Sequence, residues 1–260
     1  MPELPEVETV VRSLAPHLPG RRIVAAEFDS RFVTPGNRRA LAAKLAGRTI
    51  ASIRRRGKFI VITLDQGSLA VHLGMTGKLL LDGEAGPHTH GRFTLDHGVL
   101  LYDDPRQFGR IEWNPSRIAR LGPEPLEIGL EEFVTRLRAR RSRVKSLLMN
   151  QRFLAGMGNI YVDEALFAAG IHPLAIASRV SKARAARLHQ AIREILALAI
   201  EHRGSSISDY VDAEGSRGEF QILHRVYGRE GEACIQCGGP IKKIVVAQRG
   251  THFCGRCQKR

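Results

Sequence analysis

Apolar residues at the start of the chain follow a helical spacing. Pro5 suits a first helical position, and Glu6 and Glu8 lie in the first turn, where the helix dipole favours acids. The apolar face of this predicted helix, at positions i, i+3, i+4 and i+7, consists of Val7, Val10, Val11 and Leu14. The helix does not account for Pro2 and Glu3, which precede it.

From about residue 21 to 115 the pattern changes to short segments rich in β-branched and apolar residues, most of which alternate with polar ones. Glycine-containing turns separate several of these segments, at residues 65–67, 82–83 and 96–98. Short strands at regular spacing are typical of all-β layers. This part of the chain therefore predicts a β-sandwich or a barrel.

The sequence LGPEPL at 121–126 interrupts the strand pattern and predicts a domain boundary. Beyond it, helical spacing predicts helices, the longest of them amphipathic, at residues 130–140, 143–151, 159–169 and 181–202. A stretch with glycine and serine at roughly 204–218 predicts a mobile loop. The residues after it form a separate module that contains all the cysteines.

The charge of the chain indicates the class of its partner. Lysine and arginine total 40 against 26 acidic residues, a net charge of +14. A balance this basic favours nucleic acid as a partner over a basic surface that serves only solubility.

No apolar run approaches the roughly 18 residues that a membrane span requires, and the start lacks the pattern of a secretion signal. We therefore expect a soluble, cytoplasmic protein.

The four cysteines form two pairs, Cys234 with Cys237 and Cys254 with Cys257, with sixteen residues between the pairs. Each pair supplies two thiolates from one tight turn, and four thiolates complete a tetrahedral zinc site without an open position for catalysis. Two disulfides are the alternative, although nothing else in the sequence indicates an oxidising compartment. We expect one structural Zn²⁺, and the surrounding lysines and arginines suit a grip on phosphates.

Both ends of the chain resemble one family. PELPEVE at 2–8 and AQRGTHFC at 247–254 are similar to the bacterial formamidopyrimidine-DNA glycosylases. Interior blocks resemble the family in the family's own order: HLGMTGKL at 72–79, DDPRQFG at 103–109, LGPEPL at 121–126 and GMGNIYVDEALFAAGIHP at 156–173. Relatives of the endonuclease VIII type begin Pro-Glu-Gly-Pro. Leu4 in place of that glycine favours the branch that acts on oxidised purines.

The resemblance implies an α+β fold with three parts. The first is an N-terminal catalytic β-sandwich with flanking helices, at 1–120. The second is a helix–two-turn–helix DNA-binding domain at 121–225. The third is a C-terminal four-cysteine zinc finger at 226–260. This order agrees with the strand-rich, helix-rich and cysteine-rich order of the patterns above.

The resemblance also implies a reaction. Such an enzyme excises 8-oxoguanine and formamidopyrimidines from duplex DNA in base excision repair, and then cleaves the strand by β,δ-elimination. The target nucleotide must be flipped out of the stack. Pro2, freed by removal of Met1, matches the family's amine nucleophile, which forms a Schiff base with the sugar. Glu3 matches the catalytic acid, and Lys58 matches the active-site lysine that contacts the lesion or its phosphates.

Six further residues resemble the family's DNA contacts. Met75, Arg106 and Phe108 match the residues that fill the gap left by the flipped nucleotide. The matches to phosphate-binding positions are Lys145, Asn159 and Arg249. Members of the family usually carry arginine where this chain has Gln107, so the reading of the opposite base is open. The stretch 213–225 aligns with the family's lesion-covering loop.

Two alternative functions remain at this point. An endonuclease VIII-like glycosylase would prefer oxidised pyrimidines, and a non-catalytic zinc-finger protein would bind DNA without cleaving it. The presence of Pro2, Glu3 and Lys58 favours an enzyme over the second alternative. We expect a monomer that acts on damaged double-stranded DNA.

Overall fold

The computed structural model describes residues 1–206 and 210–260. The chain divides into two compact units, the first formed by Met1–Ala119 with His202–Gln221 and the second by Arg120–Glu201 with Ile222–Arg260. The three-part division at 120 and 225 stays a prediction, and the segment 202–221 groups with the first unit. The mobile loop expected at 204–218 extends over 207–209, which lie outside the described residues.

The first unit begins with a helix and continues as strands. Its helices are α1 (Leu4–Leu14) and α2 (Arg38–Leu45). Its strands are β1 (Ile23–Phe28), β2 (Ile50–Arg56), β3 (Phe59–Leu64), β4 (Ser68–His72), β5 (Lys78–Leu81), β6 (Thr89–Leu95), β7 (Val99–Asp103) and β8 (Arg110–Trp113). Within the described residues the strands form two antiparallel sheets, in the orders β1-β6-β7-β5 and β2-β3-β4-β8. The predicted sandwich is confirmed.

The two sheets enclose one apolar core. Ile62 and Val71 come from one sheet and Phe93 and Leu100 from the other, and all four are buried in the same cluster. The apolar face of α1 joins this cluster, as its spacing predicts. Helix α2 lies in the range read as strands; within it Leu45 alone is buried, so it has little apolar pattern to read.

The second unit is helical and ends in a hairpin. Its elements are α3 (Leu130–Arg138), α4 (Val144–Leu148), α5 (Asn159–Ala168), α6 (Lys182–Glu201), β9 (Ile241–Val246) and β10 (Arg249–Cys254). A short 3-10 turn lies at Ala177–Arg179, and two more, Ile118–Arg120 and Phe220–Leu223, lie where the chain passes from one unit to the other. The side-chain amide of Gln151 fixes the connection between α4 and α5. It donates to the carbonyls of Met149 and Met157 and accepts from the amide of Gly156. This is the predicted helix–two-turn–helix arrangement.

A buried carboxylate organises the remainder of this unit. Glu164 in α5 accepts hydrogen bonds from the backbone amides of Arg225, Val226 and Tyr227 at 2.8–3.0 Å. These bonds anchor the segment that leads into the β9–β10 hairpin. Burial nevertheless raises the pKa of Glu164, because the amides offset only part of the lost hydration.

Across residues 1–206 and 210–260, no helix has the length and apolar character to cross a membrane.

Candidate active site and nucleic-acid interface

Pro2 and Glu3 lie at the head of α1, and both are buried. The backbone amide of Glu3 donates to the Glu6 carboxylate at 2.8 Å. The other oxygen of that carboxylate accepts from the amide of Ser205 at 2.7 Å. Glu6 therefore caps the helix, as its spacing from Glu3 indicates, and also holds a segment about two hundred residues away in sequence. The second contact has no signal in the sequence.

Lys58 lies in the hairpin between β2 and β3, directly after Gly57, whose φ of 58° is in the left-handed region. The lysine is 5 % exposed. Helix α1 packs against both strands of this hairpin, and the Arg55 guanidinium donates to the Glu8 carboxylate at 2.9 Å. The hairpin that carries Lys58 is thus fixed to the helix that carries Pro2 and Glu3.

The charge of Lys58 acts on a neighbouring imidazole. Burial, then Lys58, Arg117 and Arg110, lower the pKa of His72 from 6.5 to about 4. The neutral ring accepts a hydrogen bond from the amide of Gly74 on its Nδ1 atom, at 3.1 Å. His72 therefore supports the turn that follows β4, which is the turn that carries Met75.

Met75, Arg106 and Phe108 are brought together on two adjoining loops. Met75 is 38 % and Phe108 is 52 % exposed, and the Arg106 guanidinium lies 4.7 Å from the centre of the Phe108 ring. The loops touch at Gly74, where an added Cβ would lie 2.4 Å from the amide nitrogen of Gly109. Exposed apolar side chains beside a cation suit insertion into a base stack.

Gln107, the departure from the family pattern, has a contact that the sequence did not indicate. Its φ is 53°, and its side-chain oxygen accepts a hydrogen bond from the Ser30 hydroxyl at 2.6 Å. The Ser30 hydroxyl accepts from the amides of Phe32 and Val33 in turn. Gln107 thus ties the loop that carries Arg106 to the segment after β1.

Asp104, which sequence reasoning did not select, lies beneath the Met75 and Phe108 loops. It is wholly buried, and its carboxylate accepts from the Thr76 hydroxyl at 2.5 Å and from the Gly109 amide at 2.8 Å. The Tyr102 hydroxyl donates to it at 3.3 Å. Nothing in the run Asp-Asp-Pro-Arg distinguishes this buried carboxylate from Asp103 beside it.

The predicted phosphate-binding residues of the second unit converge on the start of β10, next to the turn of the β9–β10 hairpin. The carbonyl of Gly250 accepts from the Asn159 side-chain amide at 2.9 Å and from the Lys145 ammonium at 3.5 Å. Arg249 precedes that glycine and is exposed. Lys145 is instead fully buried, with its ammonium 2.7 Å from Asp163, which is also fully buried. Sequence reasoning missed Asp163 as its partner.

The four cysteines lie in the described part of the chain, and none is in a disulfide. Their sulfurs all lie within 4.8 Å of one another, with Cys234 3.8 Å from Cys257 and Cys237 3.5 Å from Cys254. A tetrahedron with zinc–sulfur bonds of about 2.3 Å has edges of about 3.8 Å. The sulfur positions therefore fit a tetrahedral metal site and exclude the two-disulfide alternative.

The β-sandwich, the helix–two-turn–helix unit and the four-cysteine hairpin, taken with the matches to known proteins, identify the chain as a DNA glycosylase of base excision repair. The family matches are specific: the formamidopyrimidine-DNA glycosylase N-terminal domain at 1–111, its H2TH domain at 121–211, and the zinc finger found in FPG and IleRS at 231–260. The chain therefore belongs to the formamidopyrimidine-DNA glycosylase family, whose role is the excision of oxidised purines.

Individual relatives agree along the full chain. The formamidopyrimidine-DNA glycosylase of Solibacter usitatus is 59% identical, with 100% of both chains covered. The MutM (Fpg) protein of Thermus thermophilus is 41% identical with a TM-score of 0.89, over 99% of this chain and 98% of that one. A Lactococcus lactis FPG mutant in complex with a Fapy-dG containing DNA is 38% identical with a TM-score of 0.91, and both chains are covered in full.

Proposed function

We propose that this chain excises oxidised purines from double-stranded DNA and cleaves the strand at the resulting abasic site, with Pro2 as the nucleophile. The observation that carries the proposal is the placement of Pro2 and Glu3 at the capped head of α1, which packs against the hairpin of Lys58. Removal of Met1 makes the Pro2 nitrogen a secondary amine, whose α-amino pKa of about 7.7–8 leaves a neutral fraction at physiological pH.

The chemistry follows from that amine. Its lone pair attacks C1′ of the flipped nucleotide, the bond from C1′ to the base breaks, and the base leaves with a proton. The bond from C1′ to the ring oxygen then breaks, Glu3 supplies a proton to that oxygen, and an iminium ion joins Pro2 to the opened sugar. Loss of a C2′ proton expels the 3′ phosphate, a second elimination expels the 5′ phosphate, and water releases Pro2. Lys58 contacts the lesion or its phosphates.

The DNA contacts are divided between the units. In the first, Phe108 and Met75 enter the gap left by the flipped nucleotide, and Arg106 hydrogen-bonds the orphaned base. In the second, Arg249 and the head of α5 at Asn159 bind phosphates. The burial of Lys145 and its pairing with Asp163 support a part for this lysine through Gly250, whose carbonyl it shares with Asn159.

One structural Zn²⁺ fits the four thiolates of the hairpin, and such an ion stabilises the fold rather than taking part in the reaction. Its ligands are Cys234, Cys237, Cys254 and Cys257. We also propose that the protein acts as a monomer in the cytoplasm, where the bacterial nucleoid supplies its substrate. The family's presence in bacteria and the net charge of +14 support this placement.

Borohydride trapping tests the nucleophile. The protein is incubated with a duplex that contains 8-oxoguanine, reduced, and digested, and the DNA-bearing peptide should begin at residue 2. Pro2→Gly should lose most trapping and nicking, whereas Pro16→Gly, a change at an exposed proline beyond α1, should keep both. Wild-type levels of trapping and cleavage by Pro2→Gly would contradict the assignment. An intact Met1 in the trapped protein, measured by mass, would contradict it equally.

Matched substrates test the specificity. A duplex with 8-oxoguanine should be cleaved faster than an otherwise identical duplex with thymine glycol. The reverse order would favour the endonuclease VIII-like alternative. Salt-dependent duplex binding with neither an adduct nor a nick would favour a non-catalytic DNA-binding protein.

A further inference from the structure

Asp104 is a buried charge with a complete set of partners on the two loops that carry Met75, Arg106 and Phe108. Its Oδ1 atom accepts from Thr76, the residue next to Met75. Its Oδ2 atom accepts from the amide of Gly109, the residue next to Phe108. Hydrogen bonds to a carboxylate are short and about twice as strong as those between neutral groups. One side chain thus joins two loops that have no covalent connection nearby.

Tyr102 packs beneath both loops, against the backbone at Gly77 and Gly109. Its ring is wholly buried, and burial and the adjacent Asp104 charge raise the pKa of its hydroxyl, which therefore stays protonated and donates to Asp104. An added Cβ would lie 2.3 Å from this hydroxyl at Gly77 and 1.6 Å from it at Gly109. The backbone of both loops therefore lies directly against the tyrosine, and neither loop can shift inward.

The difference in exposure between Asp104 and the gap-filling side chains shows which residues can contact DNA and which can only position others. Asp104 is 0 % exposed and cannot reach DNA, whereas Met75 and Phe108 project into solvent. A projecting side chain is aimed mainly by its backbone. The backbone on either side of the gap-filling residues is held by Asp104, directly at Gly109 and through the hydroxyl of Thr76.

We propose that Asp104 is a positioning residue that couples the Met75 turn and the Phe108 loop, so that their side chains enter the duplex together in one fixed arrangement. The inference rests on the proposed function, because it assigns a part in that function's gap-filling step. It concerns entry into stacked DNA alone. The chemistry at Pro2 on an abasic sugar that lies outside a base stack does not depend on Asp104.

Two substrates separate these steps. A duplex with 8-oxoguanine requires gap filling, while a short single-stranded oligonucleotide with an abasic site requires only the Pro2 chemistry. Asp104→Asn keeps the volume but removes the charge that accepts from two loops, and it should lower the single-turnover excision rate on the duplex about 10- to 100-fold. Borohydride trapping on the single strand should stay within about twofold of wild type.

Controls isolate the coupling from general stability. Asp103→Asn alters the neighbouring carboxylate, which accepts from Thr89 in the sheet rather than from either loop. Thr76→Val removes one donor to Asp104, and Thr76→Ser keeps it. Excision should fall with Thr76→Val and recover with Thr76→Ser, and it should be unaffected by Asp103→Asn. Thr76→Val also decides the question if Asp104→Asn does not fold.

A spectroscopic readout reports the insertion itself. A 2-aminopurine placed beside the lesion brightens when its stacking is broken, so wild type should raise its fluorescence on binding. Asp104→Asn and Thr76→Val should reduce that rise at a temperature where circular dichroism shows both folded. A full rise with wild-type excision in these two variants would overturn the proposal, as would an equal loss of single-strand trapping. No trapping by wild type would overturn the proposed function, and this inference with it.

Discussion

The buried pair of Lys145 and Asp163 permits a quantitative prediction for the second unit. Both side chains are 0% exposed, and their charged atoms are 2.7 Å apart. Asp163→Asn keeps the size of the side chain and an oxygen that accepts from the amide of His252. It removes the negative charge that lies 2.7 Å from the buried Lys145 ammonium. Removal of one partner from a buried pair costs about 3–5 kcal/mol.

The chain provides its own internal reference for the measurement. Its single tryptophan, Trp113, lies in β8 of the first unit, whereas most of the helical signal comes from α3 to α6 of the second. With urea slopes of roughly 1–3 kcal/mol/M, a loss of about 4 kcal/mol moves the midpoint by about 2 M. Asp163→Asn should shift the circular dichroism transition at 222 nm by that amount and leave the tryptophan fluorescence transition in place.

Two further variants test the reasoning. Glu132→Gln alters an exposed pair with Arg136 in α3, at 3.4 Å, and should cost less than about 0.5 kcal/mol. Lys145→Met added to Asp163→Asn removes the buried ammonium as well, so the double variant should be more stable than Asp163→Asn alone. A shift below about 0.3 M for Asp163→Asn, or a double variant no more stable than the single one, would refute the argument.

Three other predictions follow from the geometry. The pKa of His72 is lowered to about 4, so the unfolded chain binds a proton at this residue more readily than the folded chain does. The stability of the first unit should therefore fall as the pH decreases from about 6.5 to 4. His72→Gln should reduce this pH dependence, measured as the urea midpoint of the tryptophan fluorescence transition at each pH. Gly109→Ala places a Cβ 1.6 Å from the Tyr102 hydroxyl and should cost about 1–3 kcal/mol in the same assay, with partial recovery by Tyr102→Phe. Cys237→Ser removes one of the four thiolates that would hold zinc in the hairpin that carries Arg249. It should lower the bound zinc, measured by atomic absorption, and weaken duplex binding, measured in a filter assay. Full zinc content with unchanged affinity would contradict a structural ion.

The sequence predicted the helices and strands whose apolar residues recur at a regular spacing. Helix α1 has a continuous apolar face, and α6, predicted at 181–202, is observed at Lys182–Glu201. Helix α4 is shorter than the predicted 143–151, because the residues after Leu148 form turns fixed by Gln151 rather than helix. The turn of the β9–β10 hairpin uses Ala247 and Gln248 at φ values of 50° and 59°, where glycine or asparagine is usual, so it carried no turn signal.

The site was predictable only where a residue is recognised by its motif. Pro2, Glu3 and Lys58 stand in short blocks that can be read alone, and their roles stay proposals. The burial of Lys145 against Asp163, eighteen positions away, and the joining of two loops by Asp104 depend on tertiary contacts. An aspartate looks the same in the sequence whether its carboxylate is exposed or buried, and no local pattern around these residues distinguishes the two cases.

The first unit is discontinuous in sequence, and this sets the order in which its parts become available during synthesis. The segment His202–Gln221 completes that unit only after residues 120–201 have been translated. At roughly 5–20 residues per second, these roughly 80 residues delay completion by about 4–16 s. Until then Glu6 has no Ser205 amide to bind, and the head of α1 is unfinished. The last part of the first unit to be synthesised therefore supplies one of the contacts at the head of α1, the helix that is synthesised first.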